Sequence, residues 1–263
     1  MPFQPERTCR MIETARLEIA GPRATLTLTR PAKRNALLMR EIPALIGLID
    51  QAEATRGVRV VVLTGEGGTF CSGVAFDDLA GVDWTDNPLE KLCERVARVA
   101  VPTICALNGG VHGGGVDLAL ACDIRIGTPA SRAVAPPARI GVMYHVTGLE
   151  RFVAKLGITA AKRLLALAEP MEADELLRIG FLDQLTGGEE GALAAAVDAH
   201  AARIAGLAPQ TVRNFKRLLD DIAAGRLDRA AAMAEIGASF TSAEAREGYA
   251  ALTEKRAPVY DDV

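Results

Sequence analysis

The sequence predicts an α/β fold, and three observations carry that expectation. Two apolar runs, 58–63 and 101–107, read as buried strands because they are continuous rather than alternating. Each runs into a glycine-rich loop, TGEGGTFCSG (64–73) and NGGVHGGG (108–115), followed by a helical pattern. Beyond Gly148 the spacing of apolar residues is helical to the end. Strand, glycine loop and helix recurring twice argue for parallel strands joined by crossovers.

The elements follow in order. ARLEIAGPRATLTLTR (15–30) alternates on either side of Gly21-Pro22, which predicts a β-hairpin. Ile42, Leu45, Ile46, Ile49 and Ala52 recur at helical spacing over 38–54, with Pro43 in the first turns. After the strand at 58–63 and its loop comes a polar segment at 77–87, then a helix over 88–100. The strand at 101–107, a helix opening near Gly114 and a strand at 123–127 repeat the theme. Helices are expected over 149–156, 160–167, 173–179, 190–204, 209–224, 228–239 and 242–255. We divide the chain into an extension that could be disordered (1–14), an α/β core (15–200) and a C-terminal helical region (201–263).

At 263 residues and 49% hydrophobic the chain can bury a full core, and with 4% aromatics that core must be built from Ala, Val, Leu and Ile. A net charge of −3 supplies no basic footprint for nucleic acid and no attraction to a membrane surface. No apolar run reaches the roughly 18 residues of a membrane span, and the first sixteen residues lack the apolar stretch of a secretory signal. A cytoplasmic protein is expected. Cys9, Cys71, Cys93, Cys105 and Cys122 form no CxxC pair, so reduced thiols are expected and no metal site.

Gly113-Gly114-Gly115 interrupts two apolar segments, and bare backbone there is entropically costly. A strand, a glycine turn and a helix start aim unpaired N–H groups at one point. Such a point suits a phosphate, a carboxylate or a developing oxyanion. Asp117 lies in the first helical turn beside it.

Five segments, taken together and in order, resemble the crotonase superfamily, the enoyl-CoA hydratase/isomerase family. They are RPAKRNAL (30–37), VVVLTGEGGTFCSGVAFDDL (60–79), VPTICALNGGVHGGGVDLALACDIRI (101–126), RIGVMYHVTGLERFVAKLG (139–157) and TSAEAREGYAALTEKRAPVY (241–260). The resemblance implies a crotonase-like repeated ββα core with a C-terminal helical region, and a homotrimer or dimer of trimers. It implies an acyl-CoA thioester as ligand, with coenzyme A as part of the substrate and no tightly bound cofactor. By position, the backbone N–H groups of Val74 and Gly114 would hold the thioester oxygen, flanked by Ser72, Gly73, Ala75 and Gly113. Lys33, Arg34 and Lys255 stand where relatives contact CoA phosphates, and Trp84 lies in a segment that often walls the acyl pocket.

The acid/base residues depart from the hydratase pattern. Asp117 replaces the first of two glutamates, and the second position falls on Pro137, which cannot titrate. Some isomerases of the family share GGGVDL and carry a further acid where this chain has His145. An Asp117/His145 pair is therefore expected to handle protons, with Tyr144 as a donor or water-positioning group. The expected activity is hydration/dehydration or double-bond migration of an enoyl-CoA. The alternatives are another enolate reaction (hydrolase, decarboxylase or dehalogenase type) or a catalytically silent CoA-binding scaffold.

Overall fold

A computed structural model describes residues 8–79 and 82–261. The elements are, in order, β1 (Thr8–Met11), β2 (Ala15–Ala20), β3 (Arg23–Leu28), α1 (Ile42–Ala54), β4 (Val60–Gly65), β5 (Thr69–Cys71) and α2 (Pro88–Ala97). They continue with β6 (Thr103–Leu107), β7 (Gly110–His112), α3 (Gly114–Leu120), β8 (Ile124–Gly127), β9 (Arg132–Val134), α4 (Pro137–Ile140) and α5 (Val146–Leu165). The remainder is β10 (Met171–Glu172), α6 (Ala173–Arg178), β11 (Gln184–Leu185), α7 (Ala192–Ala205), α8 (Pro209–Ala223), α9 (Arg229–Ser239) and α10 (Ala243–Glu254).

Among the described residues the strands form a seven-stranded sheet, β1-β2-β3-β4-β6-β8-β11, and a four-stranded one, β10-β9-β7-β5. The hairpin β2–β3 is antiparallel, whereas β3, β4, β6, β8 and β11 run parallel. β4 is buried on both faces, as its unbroken aliphatic run requires. Val61 and Leu63 join a core with α1, α2, α3 and α5, while Val60 and Val62 pack with Ile104, Ile126 and α7 residues Val197 and Ala201. The segment expected as an N-terminal extension contributes β1, which pairs with β2; residues 1–7 lie outside the described ones. Of the expected polar segment, residues 80 and 81 lie outside them too, and the rest includes 3-10 turns at Phe76–Asp78 and Trp84–Asp86.

The small sheet positions the glycine loops. β5 and β7 are parallel neighbours, Thr69 opposite Gly110 and Cys71 opposite Val111. The chain leaving β5 at Ser72–Gly73 and the chain leaving β7 at Gly113 therefore emerge side by side. Two successive repeats are aligned in this way, and their loops become one site.

Candidate functional site

Gly113 adopts φ 51° and ψ −132°, a combination open to glycine alone. Its N–H donates to the Val134 carbonyl at 2.9 Å, and its carbonyl accepts from Val116. Gly73, at φ 84°, packs so closely on the next strand that a Cβ there would stand 2.8 Å from the Gly114 nitrogen. A Cβ on Gly115 would stand 2.6 Å from the Cys71 carbonyl oxygen. Both loops thus approach backbone to backbone, and side chains are excluded between them.

Val74 forms an isolated bridge with Leu37: Leu37 N–H donates to Gly73 at 2.8 Å and Ala75 N–H to Leu37 at 2.8 Å. That pattern uses the amides on either side and leaves the Val74 N–H unused. Gly114 is the first residue of α3, where helical geometry provides no acceptor for its N–H. Among the described residues neither amide donates to a protein acceptor. Two adjacent free donors result, at the loops the sequence analysis singled out.

Three helices close around them, since α2, α3 and α5 pack on one another. α2 begins at Pro88 behind Asn87, whose side chain caps the Leu89 N–H at 3.0 Å. The Leu89 side chain then occupies the space a Cβ on Gly114 would need. Asp117 is buried and ion-paired through Oδ1 with Arg151 of α5. Its Oδ2 faces Gly148, where a Cβ would lie 3.0 Å away. Burial alone would lower the pKa of the Arg151 guanidinium, but the Asp117 carboxylate together with Cys93 and Glu94 more than offsets it and the pKa is raised. Burial pushes the Cys93 thiol well up, and the neighbouring Asp117 charge adds to this.

Tyr144 donates its hydroxyl proton to the Gly113 carbonyl at 2.5 Å and packs edge-on against Phe152. Burial, and then the Asp117 charge, push the phenol well above its ordinary pKa. Tyr144 is thus a brace for the glycine turn. His145 precedes α5 as its N-cap residue, and its Nδ1 lies against Oε1 of Glu90. Pro137 is buried at the start of α4, so a titrating group is missing where the hydratase pattern has its second glutamate.

The remaining candidates divide. Ser72 N–H donates to the Arg34 carbonyl at 3.0 Å and its hydroxyl to the Lys33 carbonyl at 3.4 Å, so the exposed Lys33–Arg34 turn is tied to the Val74 loop. Asn35 holds that turn: it is buried at φ 55°, and its side-chain amide donates to the Glu66 and Thr69 carbonyls. Trp84 is exposed in its 3-10 turn, and Lys255 is exposed at the C-cap of α10. No hydrogen bond or ion pair among the described residues links either to Gly73 or Gly114. A cavity of about 470 Å³ lies against α10, lined by Tyr249, Leu252, Arg256 and Tyr260 among others, apart from the glycine loops. Sequence reasoning missed Arg151, Glu90, Thr147 and Asn35. Only Asn35 left a signal, as an asparagine suited to positive φ in a turn.

Paired glycine loops on adjacent ββα repeats, with two free amides and a buried acid behind them, fit a crotonase-type fold. The sequence matches the family profile described as enoyl-CoA hydratase/isomerase over residues 20–263. It is 32% identical over 242 residues to a probable enoyl-CoA hydratase, EchA6, of Mycobacterium leprae, covering 90% of this chain and 94% of that protein. It is 28% identical over 248 residues to a short-chain-enoyl-CoA hydratase of Clostridium acetobutylicum, covering 91% and 94%. Among solved structures, an enoyl-CoA hydratase/carnithine racemase from Magnetospirillum magneticum superimposes with a TM-score of 0.88 at 29% identity, covering 95% of this chain and 96% of that one. The chain belongs to the enoyl-CoA hydratase/isomerase family, within the crotonase superfamily.

Proposed function

We propose that the protein is a cytoplasmic enzyme acting on an acyl-CoA thioester through an enolate held by the Val74 and Gly114 N–H groups. The carrying observation is the pair of adjacent, unused backbone donors at Gly73–Val74 and Gly113–Gly114. Backbone donors fixed by strand pairing need no reorganisation when charge develops on the thioester oxygen, and one such donor typically contributes about 3 kcal/mol to barrier lowering.

Proton handling follows from environment. Asp117, its carboxylate paired with Arg151, is assigned the base that accepts a proton from carbon. His145 supplies the complementary proton. The reaction favoured is hydration/dehydration or double-bond migration of an enoyl-CoA. Lys33 and Arg34, carried on the turn bonded to Ser72, would meet the CoA phosphates, and Lys255 and Trp84 are assigned to the outer parts of the ligand. Coenzyme A enters and leaves as part of the substrate.

A homotrimer or dimer of trimers is supported by apolar residues left exposed at helical spacing in the C-terminal region: Phe215, Leu219 and Ile222 on α8, and Met233 and Ile236 on α9, with Phe240 just beyond it. Among the described residues no helix is long and apolar enough to cross a membrane.

Turnover of short enoyl-CoA thioesters by the wild type and by Asp117→Asn tests the reading. Activity lost in the variant is expected; activity unchanged in a folded variant removes Asp117 from the mechanism. Buried Pro137 favours one second reading, a different enolate reaction of hydrolase, decarboxylase or dehalogenase type. Mass-spectrometric identification of products from an acyl-CoA panel separates the two.

A further inference from the structure

Glu90 has no part in the proposed reaction, yet its carboxylate reaches His145 and Thr147 at the start of α5. It sits in the first turn of α2, next to the Leu89 that covers Gly114. Its side chain is 16% exposed and crosses to the start of α5. There Oε1 accepts from the Thr147 hydroxyl at 2.6 Å and lies against Nδ1 of His145. Nδ1 is buried and makes no aligned hydrogen bond, so the carboxylate acts on it by proximity. Among the described residues, Nε2 of the same ring has no hydrogen-bond partner.

We infer that Glu90 is a positioning residue for His145: held by Thr147, it fixes the imidazole and its tautomer, leaving Nε2 as the nitrogen that exchanges protons with the ligand. An ionised carboxylate only accepts, and its negative charge beside Nδ1 favours the tautomer that carries the proton on that nitrogen. That places N–H at Nδ1 and the lone pair at Nε2 in the neutral ring, because the partner of one nitrogen sets the state of the other. The proton His145 supplies is therefore one that Nε2 first takes up from water and then passes to the ligand. The Thr147 hydroxyl donates to the same Oε1 and keeps the carboxylate from rotating away. Arg151, the nearest cationic partner found for the site's other carboxylate, is occupied by Asp117 and does not compete for Glu90. The inference rests on the proposed use of His145, and the experiment keeps the two apart.

The full-length protein labelled with ¹⁵N-histidine reports each ring's tautomer by two-bond ¹⁵N–¹H correlation. His145 is expected mainly as Nδ1–H in the wild type and displaced toward Nε2–H in Glu90→Ala, with His112 and His200 unchanged. Enoyl-CoA kinetics give the second readout. Glu90→Ala should lower kcat about tenfold, a fraction of what an acid–base group contributes, with KM held within about twofold. In a His145→Ala background the same change should be nearly silent. An unchanged tautomer, or full additive loss in the double variant, overturns the positioning role. Wild-type turnover by His145→Ala alone overturns the use of His145 instead, a failure visible separately because the tautomer shift would persist. Glu90→Gln, which keeps an acceptor for Thr147, replaces Glu90→Ala if the latter does not fold.

Discussion

Asp117 and Arg151 meet as an ion pair inside the protein, their side chains 7% and 11% exposed. The pair ties α3, which begins at the glycine turn, to α5, which begins just after its N-cap His145. Removing one member strands the other charge in the interior. Arg151→Met should therefore destabilise the fold by about 3–5 kcal/mol, and Asp117→Asn/Arg151→Met should recover most of the loss. Urea unfolding of the single and double variants measures this. Equal stability of Arg151→Met and wild type would show that the pair carries no structural weight.

The close approach of the two loops makes Gly73 a sensitive position. Gly73→Ala combines a left-handed φ with a methyl 2.8 Å from the Gly114 nitrogen. Displacing that donor should lower kcat roughly 100-fold, the loss typical of one oxyanion contact. Steady-state kinetics on an enoyl-CoA, with circular dichroism to verify folding, provide the check.

Tyr144 separates bracing from proton transfer. If its hydroxyl serves only the Gly113 carbonyl, Tyr144→Phe should cost about 1 kcal/mol of stability and reduce kcat by less than about tenfold. A general acid would instead lose on the order of 10²–10⁴. Thermal unfolding and kcat measured on one preparation decide between the roles.

Thiol burial predicts the alkaline behaviour. Cys71 is pushed up to about 12 by burial, partly offset by the Gly73 N–H that donates to its sulfur. The unfolded thiol ionises near its ordinary value of 9.0, so the contribution to stability is fully present below that pH. It is lost as pH rises from there toward 12. Denaturation midpoints followed across this window should fall, and less steeply in Cys71→Ala. In the native protein at neutral pH, a thiol reagent should modify Cys9 quickly and the four buried cysteines only after unfolding.

The legible parts of the fold were those long enough to show a period. The hairpin, β4, β6 and α1 lie close to where alternation and helical spacing put them. Helices expected at 149–156 and 160–167 are the two limbs of α5, separated at Gly157, whose φ of 75° breaks the helix. The four-stranded sheet was not anticipated: its strands have two or three residues each, too few to display alternation. That sheet is what brings Gly73 beside Gly114, so the glycines were visible in sequence while their adjacency was not. Arg151 and Glu90 were hidden for another reason. Each lies tens of residues from its partner, Asp117 or His145, and only the packing of α2, α3 and α5 makes those pairs.

Deuterium exchange decides whether this site makes an enolate. The wild type, incubated in heavy water with a short enoyl-CoA and analysed by mass spectrometry, should place deuterium at C2 of the thioester. Gly73→Ala should suppress it. A thioester bound by the wild type with neither exchange nor turnover would contradict the enolate reading and leave a CoA-binding scaffold in its place.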